Sequence, residues 1–142
     1  MIREGHKIQF DIWDTAGQEK FRSIVRIYYQ RANAALIVFD LTKRETFEKA
    51  VKWIDELRDQ CDEVIQICLL GNKSDLVEER EIPLEEILQK CKEKEVIYRE
   101  VSAKTGKGVK EAFEDLFNKI PLDIPKVETL EMSQPTQTKR CC

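Results

Sequence analysis

Val64-Ile65-Gln66-Ile67-Cys68-Leu69-Leu70 runs directly into Gly71-Asn72-Lys73-Ser74-Asp75. A nearly continuous apolar run is what a strand covered on both faces of a parallel sheet requires, because neither face meets water. Ala34 to Phe39 repeats the pattern and Val96 to Val101 repeats it more weakly. Between these runs the period changes. Phe47, Ala50, Val51, Ile54, Leu57 and Cys61 fall on one stripe of a helical period, which predicts an amphipathic helix. Thr42 followed by Glu45 has the spacing of a capping box at its start. Leu84, Ile87, Leu88 and Cys91 predict a shorter helix after Pro83. Val109, Ala112, Phe113, Leu116, Phe117 and Ile120 predict a last one. Residues 7 to 13, Lys-Ile-Gln-Phe-Asp-Ile-Trp, alternate apolar and polar and predict a strand with one buried face. Strands alternating with helices place the chain in the α/β class, with a mostly parallel sheet flanked by helices.

The sequence has 142 residues, of which 36% are charged and 42% hydrophobic, with a net charge of -3. That length suits one domain, and the balance suits a soluble globular protein with no basic face for nucleic acid. No apolar run approaches the roughly 20 residues of a membrane span, and the start has no apolar core of a signal peptide, so a cytoplasmic location is expected. The five cysteines, at 61, 68, 91, 141 and 142, form no C-x-x-C pair, and the single histidine, His6, lies far from them, which argues against a zinc site. Cys61, Cys68 and Cys91 sit among apolar neighbours and read as small core residues in a reducing compartment. After Ile120 the pattern dissolves into a stretch with Pro121, Pro125, Ser133 and Pro135. This divides the chain into a domain over 1–120 and a disordered tail over 121–142.

In a parallel α/β sheet, ligands gather at the loops leaving the carboxyl ends of the strands. Asp14 to Glu19, Gly71 to Asp75 and Ser102 to Gly106 occupy such places. The second loop carries chemistry suited to one base. Guanine presents two adjacent N–H donors on one edge, and an ionised carboxylate such as Asp75 can accept both, whereas adenine lacks that pair. Each loop alone also reads as an ordinary polar turn. The two later loops each end a strand, with one helix between them. Asp40 also ends a strand and is read as structural.

Trp13-Asp14-Thr15-Ala16-Gly17-Gln18-Glu19, continued by Phe21, Arg22, Ser23, Tyr28, Tyr29, Arg31 and Ala32, resembles the second switch of the Rab branch of the small GTPases. Asn72-Lys73-Ser74-Asp75 and Ser102-Ala103-Lys104 resemble that family's base-binding loops. The resemblance implies a Ras-like doubly wound fold, GTP/GDP and Mg2+ as ligands, and GTP hydrolysis as the activity. It implies that Asp14 holds magnesium through a water, that the Gly17 N–H bonds the γ-phosphate, and that Gln18 orients the attacking water. It further implies that Asn72 ties neighbouring loops together, Lys73 lies along the base, the Ala103 N–H reaches the guanine O6, and Lys104 packs nearby. Trp13 and Tyr28 match two aromatic residues with which Rab proteins meet effectors; on the residues alone, filling the core is an equal reading.

Cys141-Cys142 resembles the geranylgeranylated double-cysteine tail of Rab proteins, and two lipid chains give stable anchoring where one does not. The partners so implied are an exchange factor, a GTPase-activating protein, effectors, the prenylation machinery and, through the lipid, the cytosolic face of endomembranes in vesicle traffic. No G-x-x-x-x-G-K-[ST] string occurs in the sequence. The resemblance places the phosphate loop, the first switch, the first two strands and the first helix before Met1. The chain is therefore expected to be an N-terminally truncated family member, with GTP binding and hydrolysis lost or severely weakened. The family's first strand would lie between 7–13 and 34–39, so those two strands are expected either to pair directly or to leave apolar surface exposed. The competing expectation is a nucleotide-free, membrane-anchored interaction module that engages Rab partners without hydrolysis.

Overall fold

The computed structural model describes residues 2–3, 6–7, 9–15, 32–61 and 65–121. Its centre is a three-stranded sheet made by β3 (Ala34–Asp40), β4 (Gln66–Asn72) and β5 (Ile97–Glu100), in that spatial order and parallel throughout. Helix α1 (Arg44–Gln60) connects β3 to β4. A short 3-10 turn (Val77–Glu79) and α2 (Leu84–Glu93) connect β4 to β5, and α3 (Val109–Lys119) follows β5. A separate antiparallel pair, β1 (Ile2–Arg3) and β2 (His6–Lys7), stands at the start.

The strands divide their side chains between two cores, as the two-residue period dictates. Ile37 and Phe39 of β3 and Ile67 and Leu69 of β4 pack with Phe47, Ala50, Ile54 and Leu57 of α1 and with Ile87 and Cys91 of α2. The intervening residues Cys68 and Leu70 pack on the other face with Ala112 and Leu116 of α3, joined by Val101. Helices on both faces explain why β4 is apolar without alternation, and they make the sheet doubly wound, as the resemblance implies. Cys68 and Cys91 are buried and Cys61 packs at the edge of the core, in line with their apolar surroundings in the sequence.

Three expectations are corrected. Residues 9–15 carry no regular structure, and among the described residues of 7–13 the only one in a strand is Lys7, at the end of β2. Alternation marks side chains that could be buried on one face, but a strand also needs a neighbour for its backbone groups, and none of the described strands pairs with 9–15. Phe10 instead packs edge-on against Phe117 of α3, with ring centroids 5.5 Å apart, while Ile12 and Trp13 are 70% and 67% exposed. Of the two outcomes expected at the family's first strand, direct pairing is not seen: among the described residues β3 has β4 as its one neighbour, and apolar Val38 is 56% exposed.

The capping box does not form. The Thr42 hydroxyl donates to Asp40 Oδ1 at 2.7 Å, and α1 begins after Lys43 with no side-chain cap from its own turn. The first helical N–H, that of Arg44, donates instead to Glu81 Oε2 at 2.8 Å. Finally, the α2 stripe is narrower than the sequence suggests. Ile87 and Cys91 are buried, but Leu84 and Leu88 are 41% and 49% exposed.

Candidate functional site

The carboxyl ends of β3, β4 and β5 bring together residues 40–42, 72–75 and 101–106. Register does this directly, because Asp40 stands opposite Asn72 and Gly71 opposite Glu100 in the parallel ladders. The backbone then ties the loops to one another. Leu41 N–H donates to Asn72 O at 3.0 Å, Val101 N–H to Gly71 O at 2.8 Å, and Ser74 N–H to Val101 O at 3.0 Å.

Side chains complete the joint between the second and third loops. Ser102 is fully buried, and its hydroxyl donates to Asp75 Oδ1 at 2.6 Å while accepting the Thr105 N–H at 3.2 Å. That donation holds the Asp75 carboxyl below the usual carboxylate range, with Lys104 and Lys73 adding smaller favourable contributions. Asp75 itself is exposed, so an ionised carboxylate faces solvent with lone pairs still available. Asn72 Oδ1 accepts the Ala103 N–H at 3.0 Å, which ties the loops as the resemblance implies. The same bond means that the Ala103 N–H points at Asn72. Lys104 is exposed at the rim.

Lys73 takes a left-handed backbone conformation, φ +68°, and its Nζ lies 2.6 Å from Asp40 Oδ2. Asp40 is thus part of the cluster, a role its position in the sequence did not reveal. The signal exists only once the strands are in register, when the last residue of β3 falls beside the loop of β4. Burial pushes the Asp40 carboxyl up, but hydrogen bonds from Lys73 and Thr42 outweigh it and hold the group below its usual range. The contact with Asp40 in turn raises the Lys73 ammonium above its usual value.

A second polar group secures the end of β5. Arg80 Nη2 pairs with Glu100 Oε1 at 2.7 Å, Tyr98 OH donates to the same oxygen at 3.0 Å, and Arg80 Nε donates to Ile82 O at 2.7 Å. These bonds fasten the 80–82 connection to the strand that carries Ser102.

The first predicted loop is described only in part. Trp13 and Asp14 are both exposed. Gly17, Gln18, Tyr28, Cys141 and Cys142 lie outside the described residues.

Residues 1–122 match the Ras family. Similar proteins include GTP-binding protein YPT52 of Saccharomyces cerevisiae, 43% identical, with 87% of this chain and 61% of the relative covered. GTP-binding protein YPT53 of the same yeast is 39% identical, with 97% of this chain and 64% of the relative covered. Ras-related protein RABF2b of Arabidopsis thaliana is 38% identical, with 95% and 70% covered. The chain spans less than two thirds of the length of the two yeast relatives.

Proposed function

The chain belongs to the Ras family, as a Rab-like small GTPase, and on that premise we propose that the loops after β4 and β5 bind the guanine base of GTP or GDP. What carries this reading is the pair of cross-links between the loops, Ser102 to Asp75 and Asn72 to Ala103. The first holds an ionised, solvent-facing carboxylate in a fixed position, and the second keeps the Ala103 N–H engaged by Asn72 Oδ1 next to it. Asp75 accepts the guanine N1–H and N2–H, Asn72 Oδ1 yields the Ala103 N–H to the guanine O6, and Lys73 and Lys104 border the base.

The donor set for magnesium is different. Among the described residues no group of three His, Cys, Asp or Glu side chains stands together, and exposed Asp14 is a single carboxylate. Magnesium is held octahedrally, by carboxylates together with waters and phosphate oxygens. Exposed Asp14 supplies one such carboxylate, and in this proposal it would hold the ion through a water, the other positions falling to waters and phosphate oxygens. Within the same proposal, Gly17 contacts the γ-phosphate and Gln18 orients water for hydrolysis. Exposed Trp13, with Tyr28, meets effectors, and lipidated Cys141 and Cys142 anchor the protein to the membranes whose traffic it regulates. Among the described residues no helix is long and apolar enough to cross a membrane.

The test is a titration of the protein with guanosine, inosine and adenosine, followed by the amide NMR signals of Asn72, Ser102 and Ala103. Inosine lacks the N2 amino group and adenosine lacks both donors, so affinity should fall in that order. Asp75→Asn should remove the advantage of guanosine over inosine. Equal binding of guanosine and adenosine contradicts the assignment.

A further inference from the structure

Asp40 ends β3, one strand away from the loop that carries Lys73, yet its carboxylate is committed on both oxygens. Oδ1 accepts the Thr42 N–H at 2.9 Å and the Thr42 hydroxyl at 2.7 Å. Oδ2 takes the Lys73 ammonium at 2.6 Å. The backbone of Asp40 is fixed as well, since its N–H donates to Thr46 Oγ1 at 2.9 Å. The Asp40 side chain is only 14% exposed, against 45% for Lys73. This is therefore an anchored carboxylate holding a longer, more exposed cation, unlike two surface chains that meet and separate freely. Lys73 is constrained at its other end by its left-handed backbone.

We propose that Asp40 is a positioning residue of the base site, fastening the Lys73 ammonium to the end of β3 so that the lysine stem forms a fixed rail along which the purine lies beside Asp75. The inference rests on the guanine reading above and extends it from two loops to three. A lysine stem is apolar along its methylenes and charged at its tip, so a tethered tip leaves the stem to meet a flat ring. Tethering also places the loss of rotamer freedom in the folding step, so that base binding does not have to supply it. The depressed Asp40 carboxyl and raised Lys73 ammonium agree with this arrangement.

Asp40→Asn keeps an acceptor for Thr42 and removes the charge that holds Lys73. In the nucleotide-free protein, acylation of Lys73 by acetic anhydride, followed by peptide mass spectrometry, should be about threefold faster or more in this variant. Guanosine affinity should fall about three- to tenfold, and Asp40→Asn should cost nothing further in a Lys73→Met background. Should Asp40→Asn not fold, Thr42→Val keeps the charge but removes the hydroxyl that orients it, and must shift both readouts in the same direction. Unchanged acylation overturns the inference, as does an affinity loss of equal size with and without Lys73. Failure of the base reading is seen separately: wild-type protein that does not bind guanosine refutes both, while the acylation comparison still reports the ion pair by itself.

Discussion

Alanine at Gly108 and at Gly106 should destabilise the protein by different amounts, because the two positions share one cost and differ in a second. Both glycines have left-handed backbones, φ +74° at Gly108 and +81° at Gly106. For alanine that conformation costs about 1–2 kcal/mol. At Gly106 an added Cβ would have no heavy atom within 4 Å, so the conformational cost is the whole effect. At Gly108 the Cβ would stand 2.4 Å from the carbonyl oxygen of Glu100 and 3.4 Å from Val101 Cγ1. The oxygen belongs to the backbone of β5 and cannot rotate aside as a side chain could, so overpacking adds about 1–3 kcal/mol. The expected losses are therefore about 1–2 kcal/mol for Gly106→Ala and about 2–5 kcal/mol for Gly108→Ala. Urea unfolding followed by far-ultraviolet circular dichroism measures both against the wild type. Relief of the clash has to move Glu100, so the amide signal of Val101, whose N–H donates to Gly71 O, should shift more in Gly108→Ala than in Gly106→Ala. Equal losses in the two variants would refute the reasoning.

The remaining expectations concern the core and the titrating groups. Ile87→Ala, at a fully buried position, should cost about 2–5 kcal/mol, whereas neighbouring Leu88→Ala, 49% exposed, should stay within about 0.5 kcal/mol in the same urea assay. Asp40 and Glu100 have folded carboxyls below their ordinary values of 3.8 and 4.5. The stability they add is therefore present above those values and is lost as the pH falls below them. Asp40→Asn and Glu100→Gln should each flatten the acid limb of a stability-against-pH curve, and an unchanged limb counts against the ion pairs. Burial pushes the Cys68 thiol up to about 12 and the Cys91 thiol up to about 11, from an ordinary value of 9.0. Their contribution should hold below pH 9.0 and decline as the pH rises through these folded values, and native Cys68 and Cys91 should react slowly with thiol reagents at neutral pH.

The parts of the fold that could be read beforehand are those whose cause lies within one segment. The apolar runs at 34–39 and 64–70 mark β3 and β4; β4 lacks alternation because helices cover both its faces, whereas Val38 of β3 is left exposed. The α1 stripe is legible for the same kind of reason: Phe47, Ala50, Ile54 and Leu57 recur at the helical period and all four are buried. The two loops of the candidate site are visible in sequence as loops after strands because Asn72, Lys73 and Asp75, like Ser102 and Ala103, are close together and follow apolar runs. Residues 7–13 misled because their alternation is equally local, but strand formation is not.

The sequence by itself determined the alternation of strands and helices, the two-sided burial of β4 and the residues gathered at its carboxyl end, since periodicity and burial act residue by residue along one element. Only the tertiary structure decided which distant groups meet. It capped α1 with Glu81, left 9–15 without a strand partner, closed Ser102 onto Asp75, and gave Lys73 to Asp40. Each of these depends on register between segments that the chain separates by many residues. A hydrogen bond or an ion pair holds only within a few ångströms, so its partner is set by how the strands and helices pack.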